Sequence, residues 1–227
     1  MAWQQEADGI EGDFRLSADG HLVCLHDAHT GRIGSQRLEV ATSTLAELQT
    51  VDVGAWKGNA FRFEVIPTLP AILGTMPPNK RFLIEVKDGP ASIAVLARDL
   101  AAGPIGLEWI DILAFDKAVI RQARALIPGA KAYWLSELKP GPDGNRPTPD
   151  EVIAGLRECG ADGLDAHAGP GLTPEVAAVV RHEGYGLYAW TVDTLPQALA
   201  CHGLGVQGLT TNAPGALREL IPPRLLG

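Results

Sequence analysis

The sequence predicts an α/β protein, a (β/α)8-type barrel incomplete at its N-terminus, with the first strand and most of the first helix missing. Three observations lead there. Strand-like apolar runs alternate with helical patterns on a rhythm of roughly 20–30 residues, the signature of parallel strands joined by crossover helices. No glycine-rich turn follows the first strand, as a doubly wound nucleotide-binding sheet would require. Charged and polar residues gather at the C-terminal ends of several different strands, where a barrel carries its site.

The strand-like segments are "GIEGDF" (9–14), "LVCLH" (22–26), "RFLIEVK" (81–87), "WIDILAF" (109–115), "AKAYWLS" (130–136), "DGLDAH" (162–167), "GLYAWTV" (186–192) and "GVQGLTT" (205–211). Helical patterns fall at 67–75, 91–101, 117–127, 149–158, 173–182, 194–201 and 213–220. Helix starts are well marked: "TPDEVIAGL" offers Thr148 as a cap, Pro149 at the first helical position and Glu151 to complete a capping box. The "ADG" turn at 18–20 makes 22–26 the return strand of a hairpin, which leaves seven strands for the barrel. The eighth belongs upstream of residue 1, and the open edge so created invites a partner strand or an oligomer. "KPGPDGN" (139–145) reads as a surface loop.

With 227 residues and 46% hydrophobic content, the chain supports one sizeable core, and a single domain over 1–227 is expected. The net charge of -8, with no basic run, argues against a nucleic-acid partner. It does not argue against phosphate, because a divalent cation reconciles an acidic site with an anionic ligand. No apolar run reaches the roughly 18 residues of a membrane span, and no signal peptide is visible, so a cytoplasmic location is the default expectation. Cys24, Cys159 and Cys201 are widely spaced and read as reduced small residues.

Strand side chains alternate between faces, so Glu11 and Asp13 point the same way, as do Glu85 and Lys87. Adjacent carboxylates repel, and burying one unpaired costs several kcal/mol or neutralises it. A divalent cation relieves both problems, and Glu11, Asp13 and Glu85 form an all-oxygen set that favours magnesium or calcium over zinc. His26 closes an apolar run beside Asp27 and is the best-placed proton carrier. Asp27 either orients His26 or caps the turn in "HDAHTG". Lys87 would set an ammonium beside the metal to meet phosphoryl oxygens; alternatively Glu85 and Lys87 are an internal ion pair. Trp190 either floors a ligand or packs in the core, His167 and Trp134 are rim candidates, and Thr211 or Asn212 caps the last helix.

These blocks resemble the glycerophosphodiester phosphodiesterase family. "EADGIEGDFRLSADGHLVCLHD" (6–27) follows its "GADGIE.D.R...DG..V..HD" pattern, and "IPTL" (66–69), "IEVK" (84–87), "AWTV" (189–192) and "GLTTNAP" (208–214) follow in order. The resemblance implies a (β/α)8 barrel that cleaves small phosphodiesters with a divalent cation, Mg2+ or Ca2+, leaving glycerol phosphate and an alcohol. It implies Glu11, Asp13 and Glu85 as metal ligands, with His26 and Lys87 as catalytic residues on the proton and the phosphate. The mechanism it implies is that of the family, in which a glycerol hydroxyl attacks phosphorus first, giving a cyclic intermediate that water opens, and two histidines share the proton transfers.

The chain departs from the pattern in lacking a strand that ends in His-Arg-Gly and the Pro-Glu-Asn segment after it. It also has Asn212 where an aspartate is usual. Weak activity is therefore expected, with a non-catalytic phosphate-binding or structural barrel as one alternative and a sphingomyelinase D-like lipid phosphodiesterase as another.

Overall fold

A computed structural model of the protein describes residues 2–141 and 144–221. The chain opens with strand β1 (Gly9–Leu16), which turns through Ala18 and Asp19 into β2 (Leu22–Cys24). Gly20 makes that turn at φ 81°, a left-handed backbone that glycine adopts without steric cost. An excursion follows, built of short 3-10 turns and helix α1 (Leu45–Leu48), and it ends in α2 (Leu69–Leu73). Strands and helices then alternate as expected: β3 (Arg81–Val86), α3 (Ser92–Ala102), β4 (Ile110–Ala114), α4 (Lys117–Leu126) and β5 (Lys131–Ser136). After a small ribbon of β6 (Lys139–Gly141) and β7 (Gly144–Arg146) come α5 (Pro149–Cys159), β8 (Gly163–His167), α6 (Pro174–His182), β9 (Gly186–Trp190), α7 (Leu195–Gly203), β10 (Gly208–Leu209) and α8 (Pro214–Leu220).

The strand order is β10-β9-β8-β5-β4-β3-β1-β2, parallel throughout except for the β1–β2 hairpin. Seven parallel strands thus curl into an incomplete barrel with helices outside, as the sequence predicts. The capping box of Thr148 and Glu151 is formed, and Thr194 with Gln197 forms another at α7. Two expectations need adjustment. The last strand is paired over two residues rather than seven. The loop at 139–145 carries the antiparallel β6–β7 ribbon.

Alternation along the strands divides the interior into two environments. On the outer face, Phe82, Ile84, Ile110, Ile112, Leu164 and Leu187 are fully buried beneath the helices. Trp134 belongs to this layer: its indole meets Gly155 of α5, where a Cβ would lie 2.8 Å from the ring, and its Nε1 donates to the Phe115 carbonyl at 3.0 Å. The inner face is lined by Leu113, Tyr133 and Leu135 with Leu83, Tyr188 and Trp190 packed against them. Tyr133 and Tyr188 stack at 4.3 Å, in space left by Gly163, where a Cβ would come within 2.5 Å of the Tyr133 ring.

Below that stack lies an ion pair with one buried and one partly exposed member. Asp111 is fully buried and pairs with Arg81 at 2.8 Å, while the Tyr188 hydroxyl lies 3.4 Å from its other oxygen. Burial raises the Asp111 carboxyl and Arg81 partly offsets that.

The strands β1 and β10 are not paired with each other. Asp8 and Phe14 accept from the amides of Arg81 and Lys87, so the even-numbered peptide groups of β1 face β3. Those of Gly9 and Glu11 therefore face the seam. Contacts between the chain's two ends flank it: Arg218 reaches Asp8 at 2.7 Å, and the Gly215 amide donates to Gln5 at 3.2 Å. No helix among the described residues is long and apolar enough to cross a membrane.

The ion pair at the floor generates a test. Arg81→Met leaves Asp111 uncompensated and is expected to cost about 3 kcal/mol in denaturant unfolding, whereas Arg81→Met with Asp111→Leu recovers most of that loss. Equal destabilisation by the single and double variants would show that the pair is not the term that matters.

Candidate active site

A cleft of about 1660 Å³ runs along the seam between β1 and β10 and into the barrel. Glu11, Asp13, His26, Glu85 and Lys87 all line it, so the five residues singled out from sequence meet in one place. Parallel pairing is the cause: Asp13 of β1 sits opposite Glu85 of β3, one register step before β3 and its pairing with β1 end. The carboxylate oxygens of Glu11, Asp13 and Glu85 lie within 4.8 Å of one another.

That proximity has electrostatic consequences. Loss of hydration on the protein side, then repulsion from Asp13 and Glu85, push Glu11 up to about 8. The side chain still reaches solvent along the open cleft, so water tempers the shift. Glu85 is also raised by burial, against the pull of Lys87. The Lys87 ammonium lies 2.9 Å from Asp13 and 2.6 Å from Glu85. Its burial alone would lower it, but the two carboxylates more than offset that and hold it above its ordinary value. A set of three acids with only oxygen donors, two of them held above their ordinary values by burial and crowding, fits a hard divalent cation. Among the described residues this is the group that satisfies the spacing of a metal site.

His26 stands beyond the end of β2 with its ring largely exposed. Its Nδ1 is 2.8 Å from Asp27 Oδ1, and Arg32 clamps Asp27 with Nε at 2.7 Å and Nη2 at 3.2 Å. The hydrogen bonds from Arg32 and then His26 hold Asp27 well below the usual carboxylate range. An ionised Asp27 only accepts, so the proton on Nδ1 belongs to His26 and Nε2 is left free. Asp27 thus orients the ring, which decides between the two roles open to it from sequence. Beneath it, Arg15 donates to the His26 carbonyl at 3.0 Å and pairs with Asp88 at 3.1 Å, and Asp88 accepts the Leu16 amide at 2.6 Å.

Other candidates are sorted by the same geometry. Trp190 lines the cleft, with its edge against His167 at 5.2 Å between centroids, while His167 is outside the cleft lining. Thr211 and Asn212 do not cap α8 in the expected way. Both bond Asp193, at 3.0 Å from the Thr211 hydroxyl and 2.8 Å from the Asn212 amide.

Sequence reasoning missed Asp165. Its oxygens have no hydrogen-bond partner among the described residues, and the residue is 1% exposed. Burial, then the charges of Glu85 and Asp111, push its carboxyl up to about 8. The strand-parity argument could have found it, since Asp165 shares a face of β8 with Gly163 and His167. Arg15 was open to the same reasoning, being next in the series begun by Glu11 and Asp13. The Arg32 clamp carried no such signal, because it depends on the path of an irregular loop.

Asp165 gives a pH prediction. Its folded pKa lies above its unfolded value, so the folded state binds more protons between pH 4 and 8. Its contribution to stability is therefore complete in acid and lost as pH rises towards 8. In chelator-treated protein, Asp165→Asn is expected to flatten the fall in melting temperature across that window. A variant whose pH profile parallels the parent would place the titration elsewhere.

Comparison with known proteins agrees with the fold. A model of the glycerophosphoryl diester phosphodiesterase family matches residues 1–216. A glycerophosphodiester phosphodiesterase of Caldanaerobacter subterraneus is 30% identical over 97% of this chain and 88% of its own length. One from Bacillus subtilis is 24% identical over 96% and 78%, respectively. Among solved structures, a phosphodiesterase of Oleispira antarctica in complex with the product sn-glycerol-3-phosphate has a TM-score of 0.84 at 22% identity, covering 96% of this chain and 86% of that one. A glycerophosphodiester phosphodiesterase of Thermotoga maritima has a TM-score of 0.75 at 18% identity, covering 97% and 88%. The solved structures carry the likeness in fold, and the family match over nearly the whole chain carries descent: the chain belongs to the glycerophosphoryl diester phosphodiesterase family.

Proposed function

We propose that this chain, acting as one domain over 1–227, hydrolyses glycerophosphodiesters to glycerol phosphate and an alcohol, with a divalent cation held by Glu11, Asp13 and Glu85. The observation that carries the reading is the convergence of those three carboxylates within 4.8 Å at the part of the cleft that His26 and Lys87 also line. Magnesium or calcium suits the donor set better than a thiophilic metal. Such an ion, when bound, polarises a phosphoryl oxygen and acidifies a coordinated hydroxyl.

The chain's own residues do the rest. Lys87 presents a cation to the phosphate oxygens that gain charge as phosphorus becomes five-coordinate. His26, with Nδ1 committed to Asp27, accepts at Nε2 the proton of the attacking glycerol hydroxyl. The phosphorus–oxygen bond to the alcohol breaks as the new bond forms, the departing alkoxide takes its proton from solvent, and water then opens the cyclic phosphate. Trp190 and Leu113 add apolar surface to the same cleft. His167 lies outside the cleft lining and is poorly placed to protonate the leaving alcohol, so slow turnover is expected. That same feature favours the competing reading, a barrel that binds a phosphorylated ligand without turning it over.

Two measurements separate the readings. Magnesium or calcium is expected to raise the melting temperature of the parent, because a ligand that binds the native state stabilises it. The Glu11→Ala, Glu85→Ala variant should show no such rise. Release of glycerol phosphate from glycerophosphocholine should be metal-dependent in the parent, absent in that double variant, and reduced roughly 10²–10⁴-fold in His26→Ala, which keeps its metal-induced stabilisation. No metal shift in the parent would remove the metal centre. A metal shift with no turnover would leave the non-catalytic reading.

A further inference from the structure

We infer that the tip of the excursion between β2 and α2, residues 52–65, is a docking element for the surface of a phospholipid bilayer. Large hydrophobic side chains are concentrated there and left in solvent: Trp56 is 61% exposed, Phe63 79% and Val65 44%. The excursion has a small core of its own in Val23, Leu25, Val40, Leu48 and Ile66, and none of the three joins it. Isolated apolar residues on a surface need no explanation; these three are exposed within one ten-residue stretch.

The loop is built to hold these side chains outward. Asp52 accepts from the amides of Gly54 at 2.8 Å, Ala55 at 3.0 Å and Phe63 at 2.9 Å, which pins the two ends of the tip together. Phe63 is held at φ 70°, a left-handed conformation unfavourable for an aromatic residue, while most of its ring meets water. Both features cost free energy and neither is repaid by burial within the chain. The Trp56 indole NH donates to the Val53 carbonyl at 2.8 Å, so its polar group is satisfied internally and the hydrocarbon part of the ring is presented outward.

Charge selects the occupant. Lys57 lies 5.6 Å from the Phe61 ring and Arg62 lies 5.4 Å from the Phe63 ring. Hydrogen bonds from backbone amides hold the Asp52 carboxyl below its ordinary value and turn it onto the loop, so Asp52 and Glu64 balance Lys57 and Arg62 overall, and the two cations stand beside the rings. Aromatic rings interleaved with basic side chains match the headgroup region of a membrane, where phosphates meet the cations and the rings sit below them. A second copy of the chain fits less well, because one narrow loop offers far less than the roughly 800 Å² per partner of a stable protein interface. Lys57 also lines the cleft, so a bilayer engaged by the tip would lie at the mouth of the site. The inference stands on the loop alone and does not require the diesterase reading.

The test is co-sedimentation of the full chain with vesicles of phosphatidylcholine, and of phosphatidylcholine mixed with phosphatidylserine. The parent should pellet with both. Trp56→Ser with Phe63→Asn should weaken binding at least roughly tenfold, as expected for losing two inserted aromatic rings. Phe63→Asn alone keeps a residue tolerated at positive φ and guards against misfolding of the double variant. Melting temperature should not fall in either, and turnover of a water-soluble diester should be unchanged in both. Failure of the parent to bind either vesicle, or equal binding by parent and double variant, would overturn the inference. So would a parent dimer that these substitutions convert to monomer, which would assign the patch to a second copy.

Discussion

Five carboxylates face the inside of one curled sheet, and the arrangement of the rest of the structure follows from how each is kept from repelling the others. At the floor, Asp111 is matched by Arg81 and takes a contact from Tyr188. At the rim, Asp13 and Glu85 share Lys87. Glu11 is left open to water along the seam. Asp165, between these levels and without any partner among the described residues, is pushed by burial towards its neutral form. The helix-facing side of the same strands carries almost no charge, and its packing of branched residues supplies the apolar burial that offsets the cost of the interior.

Lys87 has two roles that compete. Without a cation its ammonium is the local counter-charge for Asp13 and Glu85, which fits the internal ion pair considered from sequence. A divalent ion held by the same carboxylates would supply that charge instead, and the proposed contact with phosphate becomes available to the lysine. The alternatives raised by "IEVK" are thus two charge states of one arrangement. The choice between them depends on whether a cation binds.

The barrel strands were legible because a parallel sheet writes its connectivity as a rhythm, and strand parity alone put Glu11, Asp13 and Glu85 on one face. What escaped was decided by packing or loop geometry. The strand at 205–211 reads as apolar but pairs over Gly208–Leu209 alone, since sequence cannot say which part of a run finds a neighbour. Trp134 and Trp190 look alike in sequence, yet alternation sends the first among the helices and the second into the cleft. Asp165 reads as one more polar residue in "DGLDAH" until the curl of the sheet seals it. Residues 27–66 show neither helical nor strand period, so neither the small core they help to form nor the Arg32 clamp could be read ahead of the structure.

That irregular excursion links the two proposals. The carboxylates sit on strands whose positions are set by the sheet, whereas His26 and its Asp27–Arg32 support belong to the excursion. Arg15 is the fastening, since it bonds the His26 carbonyl on one side and Asp88 on the other. A force applied at Trp56 and Phe63 would therefore act on a unit that has its own core and carries the proposed proton carrier. The proposed metal ligands would stay fixed in the sheet. Docking at the tip would then bear on the distance between His26 and the carboxylates more than on the carboxylates themselves. Its effect on turnover should depend on the Arg15 bridge rather than on affinity for the cation.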